Sequence, residues 1–148
     1  REEFNILIGE QLAEKIKIKI GSAGVLKEGL EMDLRGRDLV TGLPKEIKIN
    51  DGQIREAITA SLHQIIDNIK IILETTPPEL VADIYEYGIV LTGGGALLRG
   101  LDAEIAKAVK IPVRVADDPL TCVVRGAGIL LADQVLLEKV VLPSTKEL

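Results

Sequence analysis

The sequence predicts an α/β fold, a layer of parallel strands with helices between them, joined to a smaller α+β unit. Three observations predict it. In residues 88–100 an apolar, β-branched run (Ile89, Val90, Leu91) leads into three consecutive glycines and then into a resumed apolar pattern, which reads as strand, turn and helix. Residues 75–138 run helix, strand, helix, strand, helix at the spacing of crossovers between parallel strands. Residues 30–50 instead alternate apolar and charged side chains, the period of a half-buried strand.

In chain order, residues 6–20 read as a helix. At 100° per residue Ile8, Leu12, Ile16 and Ile20 share one side, and Gly21 ends the helix as a left-handed cap. Leu30, Met32 and Leu34, then Ile47 and Ile49, mark two amphipathic strands, connected by the glycine- and proline-marked stretch 36–44. Asn50, Asp51 and Gly52 supply a turn and cap for a long helix to about residue 74, with Ile54, Ile58, Leu62, Ile65, Ile69 and Ile72 as its apolar stripe. Pro77 and Pro78 break that helix and start a short one to about Tyr87, capped by Gly88. After the central strand and glycine turn come a helix (101–110), a short strand (112–115), a turn (116–119) and a final helix (120–138). Two strands are too few for a stable sheet, so the remaining strands come from elsewhere. A start without Met, inside an apparent helix, predicts a fragment of a longer protein.

Composition narrows the function. At 148 residues, 47% hydrophobic and 28% charged, this is an ordinary globular composition with room for a sizeable core. No apolar run reaches the ~20 residues of a membrane span. The first 50 residues carry equal numbers of acidic and basic groups, so the net charge of −5 resides in the remainder. With no basic patch interleaved with aromatics, nucleic acid is not an expected partner. A single cysteine fits a reducing cytoplasm, and Cys122, among Thr121, Val123 and Val124, reads as a buried structural thiol. The lone His63 lies on a polar helix face four residues before Asp67 and reads as half of a surface ion pair. With one His and one Cys, neither a zinc site nor a nucleophilic triad can be assembled.

Two stretches have the makings of a ligand site. Gly93, Gly94 and Gly95 remove every Cβ from the turn, so backbone there can take positive φ and lie against a flat or charged ligand, and the following N–H groups would favour an anion. The same turn serves equally as a ligand-free connection. It is neither a P-loop, since Leu101 and Asp102 stand where Lys and Ser or Thr are required, nor a dinucleotide fingerprint, since Leu98 replaces the third glycine. The second stretch is the face of the first helix carrying Glu10, Glu14 and Lys17, at i, i+4 and i+7. It reads either as a solvated charged face or as the wall of a cleft whose carboxylate accepts from ribose hydroxyls.

Residues 92–100 (TGGGALLRG), 35–44 (RGRDLVTGLP), 75–80 (TTPPEL) and 118–128 (DPLTCVVRGAG) together resemble the MreB family of bacterial actins, in order and across nearly the whole chain. The resemblance implies the second half of an actin-like ATPase (ribonuclease H-like) fold. Residues 1–52 would be a small upper subdomain, 53–74 a connecting helix, 75–138 a large lower α/β subdomain and 139–148 a tail. It also implies an ATP-binding, filament-forming protein that organises cell-wall synthesis and maintains rod shape, with a slow ATPase in the intact molecule.

This chain would supply the adenosine side of the nucleotide site. Glu14 and Lys17 match the ribose-contacting helix face, with Glu10 beside them. Gly93, Gly94 and Gly95 match the adenosine turn, Ala96 continues it, and Leu97 packs near the base. No catalytic residue is implied here, because the phosphate loops, the water-positioning glutamate and the surroundings of Mg2+ belong to the other half. Implied partners are further copies of itself, a membrane-anchored adaptor and wall-synthesis proteins. The inner membrane would be reached through elements outside this segment, from the cytoplasmic side. The alternatives are a soluble sugar- or acetate-kinase-like enzyme of the same superfamily, and a nucleotide-free interaction domain.

Overall fold

The computed structural model describes residues 3–140. Its order is β1 (Ile6–Leu7), α1 (Glu10–Ile20), β2 (Glu31–Asp38), β3 (Pro44–Asn50), α2 (Asp51–Thr75), α3 (Pro78–Tyr87), β4 (Ile89–Leu91), a 3-10 turn (Gly94–Leu97), α4 (Leu101–Val109), β5 (Val113–Val115), α5 (Cys122–Ala132) and α6 (Gln134–Val140). Strands β1, β2 and β3 form one antiparallel sheet in that order, while β4 and β5 pair in parallel with Ile89 opposite Val113.

The first helix is shorter than its periodicity predicts. Residues Ile6 and Leu7 pair with Asp38 and Arg37, and Ile6 is buried at 3% exposure, so a ladder partner thirty residues away overrides the helical pattern. Gly21 is not a left-handed cap either: its φ of −67° is ordinary. A Cβ there would stand 2.3 Å from the Lys17 carbonyl oxygen, and that close approach is what calls for glycine. The predicted 36–44 connection also contracts, because β2 runs on to Asp38 with Arg37 opposite Pro44. At the tip, Asp38 accepts from the Val40 and Thr41 amides at 2.8 and 2.9 Å and pairs with Lys45 at 3.0 Å.

Those contacts, led by the Thr41 amide, lower the Asp38 pKa from 3.8 to about 2. A depressed folded-state pKa stabilises above the unfolded value and is lost as pH falls through the folded one. The hairpin tip is therefore expected to lose protection at the Val40 and Thr41 amides as pH drops from about 4 to about 2, with the Asp38 carboxyl carbon titrating near the lower end in NMR. A midpoint near 4 would show that these bonds do not hold the carboxylate in solution.

Helix α2 begins where capping chemistry places it. Asn50 accepts from the Gln53 amide while Gln53 accepts from the Asn50 amide, both at 3.0 Å. Its buried stripe is Leu62 and Ile66, flanked by Ile58 and Ile69, whereas Ile65 and Ile72 are exposed. The predicted stripe was therefore rotated at its far end: α4 packs on the side that carries Ile66, and Ile65 falls outside that contact. Asp67 pairs with Lys70 at 3.6 Å, and among the described residues His63 joins no ion pair.

Two cores result. One gathers Ile6, Ile16, Ile20, Leu34 and Ile49 beneath the antiparallel sheet. The other gathers Ala23, Leu62, Ile66, Leu101 and Ile105 between α2 and α4.

The predicted final helix is two helices. Asp133 leaves helical geometry, with φ −119° and ψ 97°, and its carboxylate accepts from the Leu136 amide at 3.0 Å, capping α6. Cys122 is only half-buried, because α5 buries none of its residues; its thiol donates to the Asp118 carbonyl. Around Gly126 and Gly128, where small residues predict a close neighbour, nothing among the described residues lies within 4 Å of a Cβ position. Of the predicted tail, 141–148 lies outside the described residues.

Candidate functional site

The face of α1 forms as its spacing predicts. Glu14 and Lys17 are joined by an ion pair of 2.7 Å, both side chains about half-exposed, so they face solvent and remain available to a ligand. With Glu10 they line an open cleft of about 1200 Å³ whose floor includes Ile8, Ile16, Ile54 and Ile58. Residues 93–97 do not line that cleft.

The glycine turn uses only part of the conformational freedom that its three glycines allow. Only Gly93 has positive φ, at +79°; Gly94 and Gly95 enter a 3-10 turn. The Gly93 amide already donates to the Pro119 carbonyl, so it is not free for an anion. A Cβ on Gly95 would meet nothing within 4 Å, and Leu97 is 55% exposed, so these two positions present an open surface. Ala96 points inward at 6% exposure, leaving only its backbone for any ligand.

What connects the two stretches is a crossing that sequence reasoning missed. Residues Ser22 and Arg99 form a parallel bridge, and the Ala23 amide donates to the Arg99 carbonyl at 2.8 Å. The Arg99 guanidinium donates to the Ile18 and Gly21 carbonyls at 3.1 and 3.2 Å, across 81 and 78 residues of sequence. On the other side of the same segment, Arg55 donates to the Ser22 hydroxyl, the Gly24 carbonyl and the Asp51 carboxylate. Asp51, buried at 7% exposure, also accepts from the Leu30 amide, and that bond first and Arg55 second hold its carboxyl below the ordinary carboxylate range against the opposing effect of desolvation. Ser22 is completely buried. The only sequence signal for this network is the Asp51–Arg55 spacing of four, since donors to lone carbonyls leave no periodic trace.

Among the described residues no three His, Cys, Asp or Glu side chains gather as a metal site, and no helix is long and apolar enough to cross a membrane.

Comparison with known proteins matches residues 1–139 to the family model for MreB/Mbl protein. The cell shape-determining protein Mbl of Bacillus subtilis is 45% identical over 139 residues, covering 94% of this chain and 42% of the relative. The cell shape-determining protein MreB of Escherichia coli K12 is 49% identical over 128 residues, 86% of this chain and 37% of the relative. The chain thus spans about two-fifths of the length of these relatives. Among solved structures, MreB5 of Spiroplasma citri bound to AMPPNP superposes with a TM-score of 0.87 at 38% identity, over 95% of this chain and 41% of that one. The MamK double helical filament, at 24% identity and TM-score 0.72, shares the fold.

Proposed function

The chain belongs to the MreB/Mbl protein family, and from that premise we propose that it forms the adenosine-side half of an ATP-binding, filament-forming protein that organises cell-wall synthesis and maintains rod shape. Its fold is the actin-like α/β fold of the structures it resembles. The observation that carries the proposal is the crossing at Ser22 and Arg99, which brings the exit of the glycine turn against the last turn of α1. Two stretches far apart in sequence are thereby held together, as a ligand touching both requires.

Each group has a chemistry that fits a nucleoside. A half-exposed carboxylate at Glu14 accepts from ribose hydroxyls, with Lys17 beside it, and Glu10 extends the same face towards the helix start. In the Gly93, Gly94 and Gly95 turn a Cβ would meet nothing at Gly93 or Gly95, Gly94 lies against Leu120, and Leu97 offers an exposed apolar surface to a base. ATP and ADP are the proposed ligands, with Mg2+ carried on phosphates beyond this chain, and slow hydrolysis belongs to the intact protein. Further proposed partners are copies of the same protein, a membrane-anchored adaptor and the wall-synthesis machinery, reached from the cytoplasmic face of the inner membrane. The hairpin tip, where Val40 and Leu43 are exposed, is an apolar surface suited to contact between copies.

Sedimentation of the full-length protein with ATP, ADP or no nucleotide, read together with released phosphate, tests this. ATP-dependent pelleting with slow phosphate release is expected. Rapid turnover only on adding a small phosphoryl acceptor, with no pellet, would replace the filament reading with a kinase. Within the site, Glu14→Ala is expected to weaken ATP binding by about 1–3 kcal/mol, one lost charge-assisted hydrogen bond. An unchanged titration would remove Glu14 from the site.

A further inference from the structure

We propose that Arg99 is a positioning residue for the nucleotide: its guanidinium locks the last turn of α1 to the exit of the glycine turn, and thereby sets where the ribose-facing side chains Glu14 and Lys17 stand relative to Gly95 and Leu97. The inference rests on the nucleotide reading above and adds a residue that touches neither base nor sugar.

The geometry is specific. A helix C-terminus carries carbonyls without intrahelical donors and a partial negative charge, and α1 ends in an extended Gly21 whose amide satisfies only the Lys17 carbonyl. One terminal nitrogen of Arg99 donates to both the Ile18 and the Gly21 carbonyls, one before the break and one at it. The planar guanidinium fixes the directions of that nitrogen's two N–H bonds, which a freely rotating lysine ammonium does less rigidly. The same residue is held at its backbone, where its carbonyl accepts from Ala23, and the Leu98 amide just before it donates back to the Gly95 carbonyl. Arg99 therefore joins the glycine turn to α1 within four residues on one side and one helical turn on the other. Because the backbone bridge at Ser22 is independent of the side chain, removing the guanidinium unlocks α1 without undoing the crossing.

The consequence separates the two nucleotide edges. Loss of the lock disturbs contacts made from α1 to the ribose hydroxyls and leaves contacts of the glycine turn with the base largely intact. Dissociation constants of the full-length protein for ATP, 2′-deoxyATP and 3′-deoxyATP read the two apart. In the wild type at least one deoxy analogue is expected to bind about tenfold more weakly than ATP, one charge-assisted bond. In Arg99→Met, which keeps the apolar stem, ATP weakens by about the same tenfold while that analogue changes less than twofold, so their ratio falls towards one; Arg99→Lys restores part of the ratio. Circular dichroism establishes that each variant is folded, and Arg99→Lys with Arg99→Gln carry the test if the methionine variant is not. A ratio unchanged in folded variants overturns the proposal, as does a wild type that binds all three nucleotides equally. A wild type that binds none of them overturns the nucleotide reading itself.

Discussion

Replacing Ile105 with alanine lowers the unfolding free energy by about 3–4 kcal/mol, towards the upper part of the range for large-to-small changes in a closed core. Ile105 is 1% exposed and packs with Ala23, Leu62, Ile66 and Leu101 where α4 meets α2. Leu62 and Ile66 share one face of a 25-residue helix, so filling the space would require shifting its backbone, and the cavity persists. Ile105→Val, which removes one methylene from the same place, costs about 0.5–1.5 kcal/mol. Urea titration of the full-length protein gives both values as midpoint shifts at constant slope. Equal losses for the two variants would mean that the site collapses around alanine and that this core is not close-packed.

Gly88→Ala is the second large effect. Gly88 adopts φ +78° and ψ −174°, a region essentially reserved for glycine. Its missing Cβ would lie 2.6 Å from the Pro112 carbonyl oxygen, the acceptor for the Ile89 amide at the first rung of the β4–β5 pair. Alanine there combines backbone strain with displacement of that rung, a loss of about 3 kcal/mol and roughly 6–12 °C in melting temperature for a domain of this size. The shift is measured by thermal denaturation. A melting temperature within a degree of wild type would mean that the chain leaves α3 by a different route in solution.

Much of this was legible because the determinants are local. Asn50 announces the start of α2, Pro78 the start of α3, and the alternation of Leu34, Ile47 and Ile49 the inward face of β2 and β3. What escaped was decided at a distance or by side-chain competition. Ile6 and Leu7 read as helix because their strand partner lies across the sheet at Arg37 and Asp38. The final helix read as continuous because the carboxylate of Asp133 competes for a backbone amide without changing the apolar period. Likewise Ile65 and Ile66 differ by one position, and only the placement of α4 decides which is inside.

The candidate site divides the same way. Glu14, Lys17 and the three glycines announce themselves by spacing and by type. Arg99 and Ser22 act on carbonyls and hydroxyls from afar, which no pattern along the chain encodes, and Arg55 shows only in its spacing of four from Asp51.

Helix α2 has one more consequence, and it is mechanical. Ile54 near its start packs against the first core, and Leu62 and Ile66 farther along belong to the second. Its 25 residues make a rod about 37 Å long, and the segment from Gly21 to Gly24 runs as a second member between the same two cores, pinned on one side by Arg55 and on the other by Arg99. The two cores are therefore joined by two separate members, so any change of angle between them must deform both α2 and the segment 21–24.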